Sequence, residues 1–156
     1  MLVYRISKKE YIHDLSGAGA GLYGGRWNRK GINMLYTAAT IALAYVEFLV
    51  HNYHVLKTTR VCLAEIQIDQ PGTIITVNKD NLPEGWPNSN AGIKVTQKAG
   101  TDFITKNEHY LLKAPSAIVP GEYNYLINPR HPNHVTTTIK HLIDPLEYDP
   151  RLLDDR

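Results

Sequence analysis

A single cysteine, Cys62, stands in a chain of 156 residues. No intramolecular disulfide is therefore available, and a reducing compartment is expected. Cys62 falls in the alternating stretch Val61, Leu63, Ile66, Ile68 and reads as a core thiol. No apolar run approaches the roughly 20 residues that a membrane-spanning helix needs. The opening Met1-Leu2-Val3 is met at once by Arg5 and Lys8-Lys9-Glu10, which is not the pattern of a secretory signal. A cytoplasmic location is expected, with no membrane as partner. Neither sign of charge prevails: 17 Lys and Arg against 15 Asp and Glu leave a formal +2, too balanced to point to direct nucleic-acid binding. The seven histidines are scattered, with only His51/His54 and His131/His134 three apart. Without cysteine partners or H-E-x-x-H spacing, no metal site is expected. Repeats, low-complexity tracts and linkers are missing too.

What is present is enough apolar residue, 43% of the chain, for one core. Residues 1–156 are expected to form a single domain. Leu2 to Ile6 reads as a strand carrying Arg5. The small-residue run Ser16-Gly17-Ala18-Gly19-Ala20-Gly21, continued by Gly24-Gly25, reads as a flexible surface loop; it lacks the lysine and Ser/Thr of a P-loop. Met34 to Thr37 suggests a short strand. Thr37 or Thr40 can cap a helix running to about His51, apolar nearly all round and so expected to be packed on most sides. Strands are expected over Thr59–Ile68, Thr73–Val77, Tyr110–Leu112 and Ala117–Val119. Asn81 to Gly92 reads as a polar loop, Ile93 to Asn107 as a helix interrupted by Gly100, and Asn128 to Asn133 as a rigid turn. Val135 to Ile143 gives a last strand or short helix, and Asp149 to Leu153 closes the chain. Strands and helices without regular βαβ alternation give an α+β class.

Glu47 is the only charged residue in Ile41–Val50. A lone carboxylate in such a run is costly to bury without compensation. Two readings stand: a functional carboxylate, or a glutamate on the solvent edge of an amphipathic helix. His51, one helical turn on, can tune it or simply pair with it. Arg26 in Gly24-Gly25-Arg26-Trp27-Asn28 is suited to paired charge-assisted bonds to phosphate, or to stacking on Trp27. Arg5 is a second candidate for that work, or a partner for Glu47, or a structural arginine. Tyr36 can stack on an aromatic ring or bond a hydroxyl, against the alternative of a core tyrosine.

Several segments, taken together, resemble RES-domain proteins: Gly24-Gly25-Arg26-Trp27-Asn28; Leu35-Tyr36-Thr37-Ala38; Ala42-Leu43-Ala44 with Glu47; Pro115-Ser116-Ala117-Ile118-Val119-Pro120 with Glu122 and Asn124; Asn128-Pro129 with His131-Pro132; and Asp149-Pro150-Arg151-Leu152. The family is named for an arginine, a glutamate and a serine, which fall here on Arg26, Glu47 and Ser116. Its members often carry serine before the glutamate that follows Val-Pro; here Gly121 precedes Glu122.

The resemblance implies a compact fold like that of ADP-ribosyltransferases, with two small, mostly antiparallel sheets flanked by helices around an NAD cleft. It implies a bacterial toxin that consumes NAD as substrate rather than cofactor, by hydrolysis or, with phosphate as co-substrate, phosphorolysis. The alternative on the same fold is transfer of ADP-ribose to a protein. Less favoured are a non-catalytic binding module and an RNA-targeting toxin. It further implies an Xre-type helix-turn-helix antitoxin as partner, in a toxin–antitoxin hetero-oligomer or beside a homodimer of the chain. Ser116 is assigned on the resemblance alone, to bond nicotinamide or ribose; a serine after proline otherwise shapes a turn. Breaking the ribose–nicotinamide bond develops positive charge on the ribose, which a carboxylate at Glu47 would stabilise while Arg26 gripped the diphosphate. Glu47, Arg26, Tyr36 and Ser116 are the expected catalytic set; Arg5, Tyr23, Asn124 and His51 are expected to bind substrate.

Overall fold

A computed structural model describes residues 1–56 and 59–152. The end of the closing stretch, at Leu153, lies outside the described residues. Seven strands, β1 (Leu2–Lys8), β2 (Leu35–Ala38), β3 (Val61–Gln67), β4 (Ile74–Thr76), β5 (Leu111–Pro115), β6 (Tyr123–Ile127) and β7 (Thr138–Ile143), form one sheet in the order β4-β5-β6-β2-β1-β3-β7. All neighbours are antiparallel except β4 and β5. The α+β class and the antiparallel bias agree with the sequence reading, but the strands make one sheet where two small ones were expected. The reason is visible at the seam: β1 and β2 share one paired position, Tyr4 opposite Ala38, which bridges two otherwise well-paired halves.

Three helices, α1 (Ala18–Tyr23), α2 (Ile41–Leu56) and α3 (Asn90–Lys106), accompany the sheet. Residues opposite one another on neighbouring strands share a face. One face therefore carries Leu112, Leu126 and Tyr36, and then Ala114, Asn124, Ala38 and Tyr4. Over it, α3 packs Phe103 and Ile104 with Trp27, Trp86, Leu112 and Leu126, while α2 packs Leu43 and Ala44 on Ala38 and sets Tyr45, Phe48 and Leu49 against Val61 and Leu63. The opposite face buries Val3, Leu35, Cys62, Ala64, Ile66, Tyr110, Leu111 and Ile127 with Ile12 and Ile68.

Local chemistry sets the helix starts. Thr40 Oγ1 accepts from Leu43 N at 3.1 Å and Ser89 Oγ from Gly92 N at 3.0 Å, each capping its helix. Gly100 does not interrupt α3. A Cβ there would stand 1.8 Å from the Trp27 carbonyl oxygen, so glycine lets the helix meet the Arg26 loop backbone to backbone.

Several local expectations are corrected. The glycine-rich run holds the short helix α1 instead of being loop throughout. Ala117–Val119 is not a strand: it bends around the Ser116 side chain, which satisfies its N–H groups. The strand lies instead at β6, where the mixed sequence Tyr-Asn-Tyr-Leu-Ile gave no clean signal. Among the described side chains of α2 only Leu43 and Ala44 are fully buried, and Ile41 and Val50 are exposed, so the helix is not packed on most sides.

Candidate functional site

α2 and α3 stand side by side on one face of the sheet and leave a cleft of about 770 Å³ between them, within the usual range for small-molecule sites. Its floor is Tyr4, Ile6, Tyr36, Ala38 and Asn124; one wall is α2 with Glu47 and Phe48; the other is α3 with Ile93 and Gln97, together with the Gly24–Trp27 loop.

Glu47 lies in the α2 wall, its side chain 23% exposed. Its Oε1 accepts from Ser116 Oγ at 2.9 Å and from Asn124 Nδ2 at 2.7 Å. Its Oε2 takes no such bond from any described residue; the exposed His51 Nε2 stands 3.9 Å away. One carboxylate oxygen is therefore fixed by two neutral donors while the other keeps its lone pairs for a ligand. These donors compensate the cost of holding a charge in an apolar helix.

Ser116 does not line the cleft. Only 7% exposed, its hydroxyl donates to Glu47 and accepts from Ile118 N at 3.1 Å and Val119 N at 3.0 Å. One donor and two acceptor sites are all that a hydroxyl has. The expected bond from Ser116 to a substrate is thus replaced by a positioning role: the turn-forming serine also holds the carboxylate.

Arg26 carries a guanidinium with no carboxylate partner among the described residues. It lies over the Trp86 ring, 5.7 Å from the centroid, and its Nη1 is 3.5 Å from the Trp86 carbonyl, too far for a strong bond. The loop beneath it is firmly held. Gly25 O accepts from Gln97 Nε2 at 2.8 Å, Arg26 O from Thr96 Oγ1 at 2.7 Å, and Trp27 N donates to Tyr36 Oη at 2.9 Å. The buried Asn28 side chain bonds Ala20 O and Ile32 O, both at 2.8 Å, and accepts from Tyr36 Oη at 2.7 Å. At Gly25 a Cβ would fall 2.7 Å from Tyr36 Oη, so only glycine brings the loop this close to the tyrosine.

Tyr36 gives its ring to the cleft and its hydroxyl to the loop. Burial pushes the phenol far above its usual pKa, so it stays protonated. Arg5 borders the cleft, but alternation along β1 turns its side chain to the other face. There its Nη1 donates to Asp14 O at 2.7 Å and Ile12 O at 3.4 Å. Neither the pairing with Glu47 nor a grip on substrate suggested by the sequence is realised by that geometry. Burial also lowers its pKa. Tyr23, 86% exposed at the end of α1, and His51 stand at the rim. Asn124 reaches the cleft from β6.

Sequence reasoning missed Thr96, Gln97 and Trp86. Each acts on a loop about 60 to 70 residues away in sequence, a distance that no local pattern spans.

The site therefore sets a guanidinium with no carboxylate partner among the described residues on one wall and a half-shielded carboxylate on the other, above a floor that includes Tyr4 and Tyr36. Residues 2–149 match the family model described as RES domain. The chain is 34% identical over 155 residues to Toxin Res of Yersinia enterocolitica, covering 97% of this chain and 99% of that protein. It is 38% identical over 145 residues to the Prs ADP-ribosylating toxin of Sphingobium sp., covering 90% and 87%. Among solved structures, the M. tuberculosis MbcT–MbcA toxin–antitoxin complex contains a chain of similar fold, with a TM-score of 0.74 at 17% identity, over 97% of this chain and 86% of that one.

Proposed function

The chain belongs to the RES-domain family, and on that premise we propose that it is the toxin of a toxin–antitoxin pair, acting by cleavage of the nicotinamide–ribose bond of NAD. The observation that carries this reading is the cleft itself: Glu47 on α2 and Arg26 on the α3 side line one cavity, with no hydrogen bond to Glu47 Oε2 from any described residue.

NAD brings a diphosphate and a cationic nicotinamide, and both charges have a counterpart. The Arg26 guanidinium offers a fork of donors to the diphosphate. Glu47 Oε2 faces the ribose, where positive charge grows as the C1′–N bond breaks. The bonding pair leaves with nicotinamide, whose ring nitrogen becomes neutral. Water then adds to C1′ and loses a proton, giving ADP-ribose; phosphate adding in its place gives a phosphorylated product. Ser116 and Asn124 keep the carboxylate aimed, and Tyr36 supplies an aromatic surface for the nicotinamide ring.

Purified protein incubated with NAD, with and without phosphate, is expected to release nicotinamide. No release under either condition overturns the reading. A second reading, transfer of ADP-ribose to a protein, is favoured by the name of the Sphingobium relative. It is distinguished by labelled ADP-ribose appearing on a protein of a cell extract. For the partner, we infer an antitoxin, of the Xre helix-turn-helix type, with a segment that covers or enters the cleft beside Arg26 and Glu47. A complex whose cleft stays open to NAD contradicts this.

A further inference from the structure

The α3 end of the cleft carries groups that bond cleavage does not use. Ile93 and Pro87 present half-buried apolar surface, and Asn88 stands at the rim. Gln97, one turn of α3 beyond Ile93, lines the same corner. Its orientation is fixed by chemistry: the neighbour at 2.8 Å is the Gly25 carbonyl oxygen, which only accepts, so the amide nitrogen faces the loop. Gln97 Oε1 then accepts no hydrogen bond from any described residue. The corner combines the apolar surfaces of Ile93 and Pro87, a guanidinium beside them and one solvent-reaching acceptor oxygen with no donor among the described residues. That is the complement of a planar heterocycle bearing an amino group.

Resting on the reading of the cleft as a dinucleotide site, we propose that this corner holds the adenine base, with Gln97 Oε1 accepting from the exocyclic amino group. Gln97 then joins two tasks. Its nitrogen steadies the loop that presents Arg26, and its oxygen selects an amino purine over an oxo purine. With hypoxanthine in the same place, the 6-carbonyl oxygen would face Gln97 Oε1, acceptor against acceptor, and the bond would be lost.

The test compares NAD with nicotinamide hypoxanthine dinucleotide, which differs only at that position. The wild-type protein is expected to prefer NAD in kcat/KM by about tenfold or more, as a site built around one hydrogen bond does. In Gln97→Leu the preference is expected to fall to within about twofold, whatever loss both substrates suffer together from a disturbed loop. Taking the ratio separates recognition of the base from structural damage. Equal use of the two dinucleotides by the wild type overturns the proposal without any variant, and so does a Gln97→Leu protein that keeps the full preference. Equilibrium binding of AMP against inosine monophosphate gives a readout independent of cleavage. Tighter binding of AMP by a protein that cleaves no NAD sinks the proposed reaction and sustains the corner; NAD cleavage with no preference for either base does the reverse.

Discussion

The α3 wall of the cleft is fastened along its length. Thr96, fully buried, and Gln97 bond consecutive carbonyls of the Arg26 loop, Gly100 seats against Trp27, and Asn28 ties the loop back to α1. Among the described side chains of the α2 wall only Leu43 and Ala44 are buried, with Ile41 and Val50 in solvent. Its carboxylate, Glu47, is held by Asn124 from the floor and by Ser116 from the turn after β5. The difference teaches a division of labour. The rigid wall carries a guanidinium on a loop whose backbone is held by the side chains of Thr96 and Gln97 and by the close approach of Gly100. The lighter wall presents the carboxylate that the proposed reaction needs, its Oε1 aimed by two hydrogen bonds.

That division can be broken first at Glu47. Glu47→Gln keeps the shape and the hydrogen-bond partners while removing the charge, and is expected to lower kcat by about 10²–10³-fold; steady-state nicotinamide release and an unchanged thermal melt check this together. Arg26→Lys, on the rigid wall, is expected to act in the other kinetic parameter. KM for NAD should rise about tenfold with kcat nearly kept, because an ammonium cannot reproduce the bidentate grip. Ser116→Ala frees Glu47 Oε1 of one donor and strips two backbone N–H groups of their acceptor, so kcat is expected to fall about tenfold through misalignment. The loss should not add to that of Asn124→Ala if both act through the same oxygen. Thr96→Val retains volume and removes the bond to Arg26 O. A destabilisation of about 1 kcal/mol in denaturant unfolding, with an effect on KM rather than kcat, is expected.

The smallest effect on the cleft belongs to Asp144. Hydrogen bonds from Cys62, Arg60 and Lys9 hold its carboxyl far below the usual carboxylate range. A carboxylate depressed in the folded state adds stability that is present above about pH 4, its unfolded value, and is lost as pH falls through the folded one. Asp144→Asn is therefore expected to lower the melting temperature at neutral pH and to flatten the acid limb of the stability profile, with kcat unmoved.

Much of this arrangement was legible because it is local. Thr40 caps the helix it precedes, β3 alternates through Val61 to Gln67, and the lone charge at position 47 announced an energetic cost that a functional cleft explains. What escaped was made by distance. Ser116 was read as a residue for substrate, yet its hydroxyl is filled by a turn three residues long and by a helix 69 positions earlier. Arg5 shows the limit of residue-type reasoning: the same guanidinium is a phosphate ligand on one face of a strand and a clamp for the carbonyls of Ile12 and Asp14 on the other. The apolar surface of α2 was taken to mean burial, but one side of it stands at an open groove, where an occupant and not the core would cover it.

The single pairing of Tyr4 with Ala38 lies directly under the hydrogen bonds from Ser116 and Asn124 to Glu47. Asn124 on β6 and Ser116, just past the end of β5, carry the donors, while the helix that bears the acceptor rests on Ala38 of β2 and on β1 and β3. The carboxylate is thus a clasp laid over the narrowest join of the sheet, tying β6 and the turn after β5 to the helix that roofs β1 and β2.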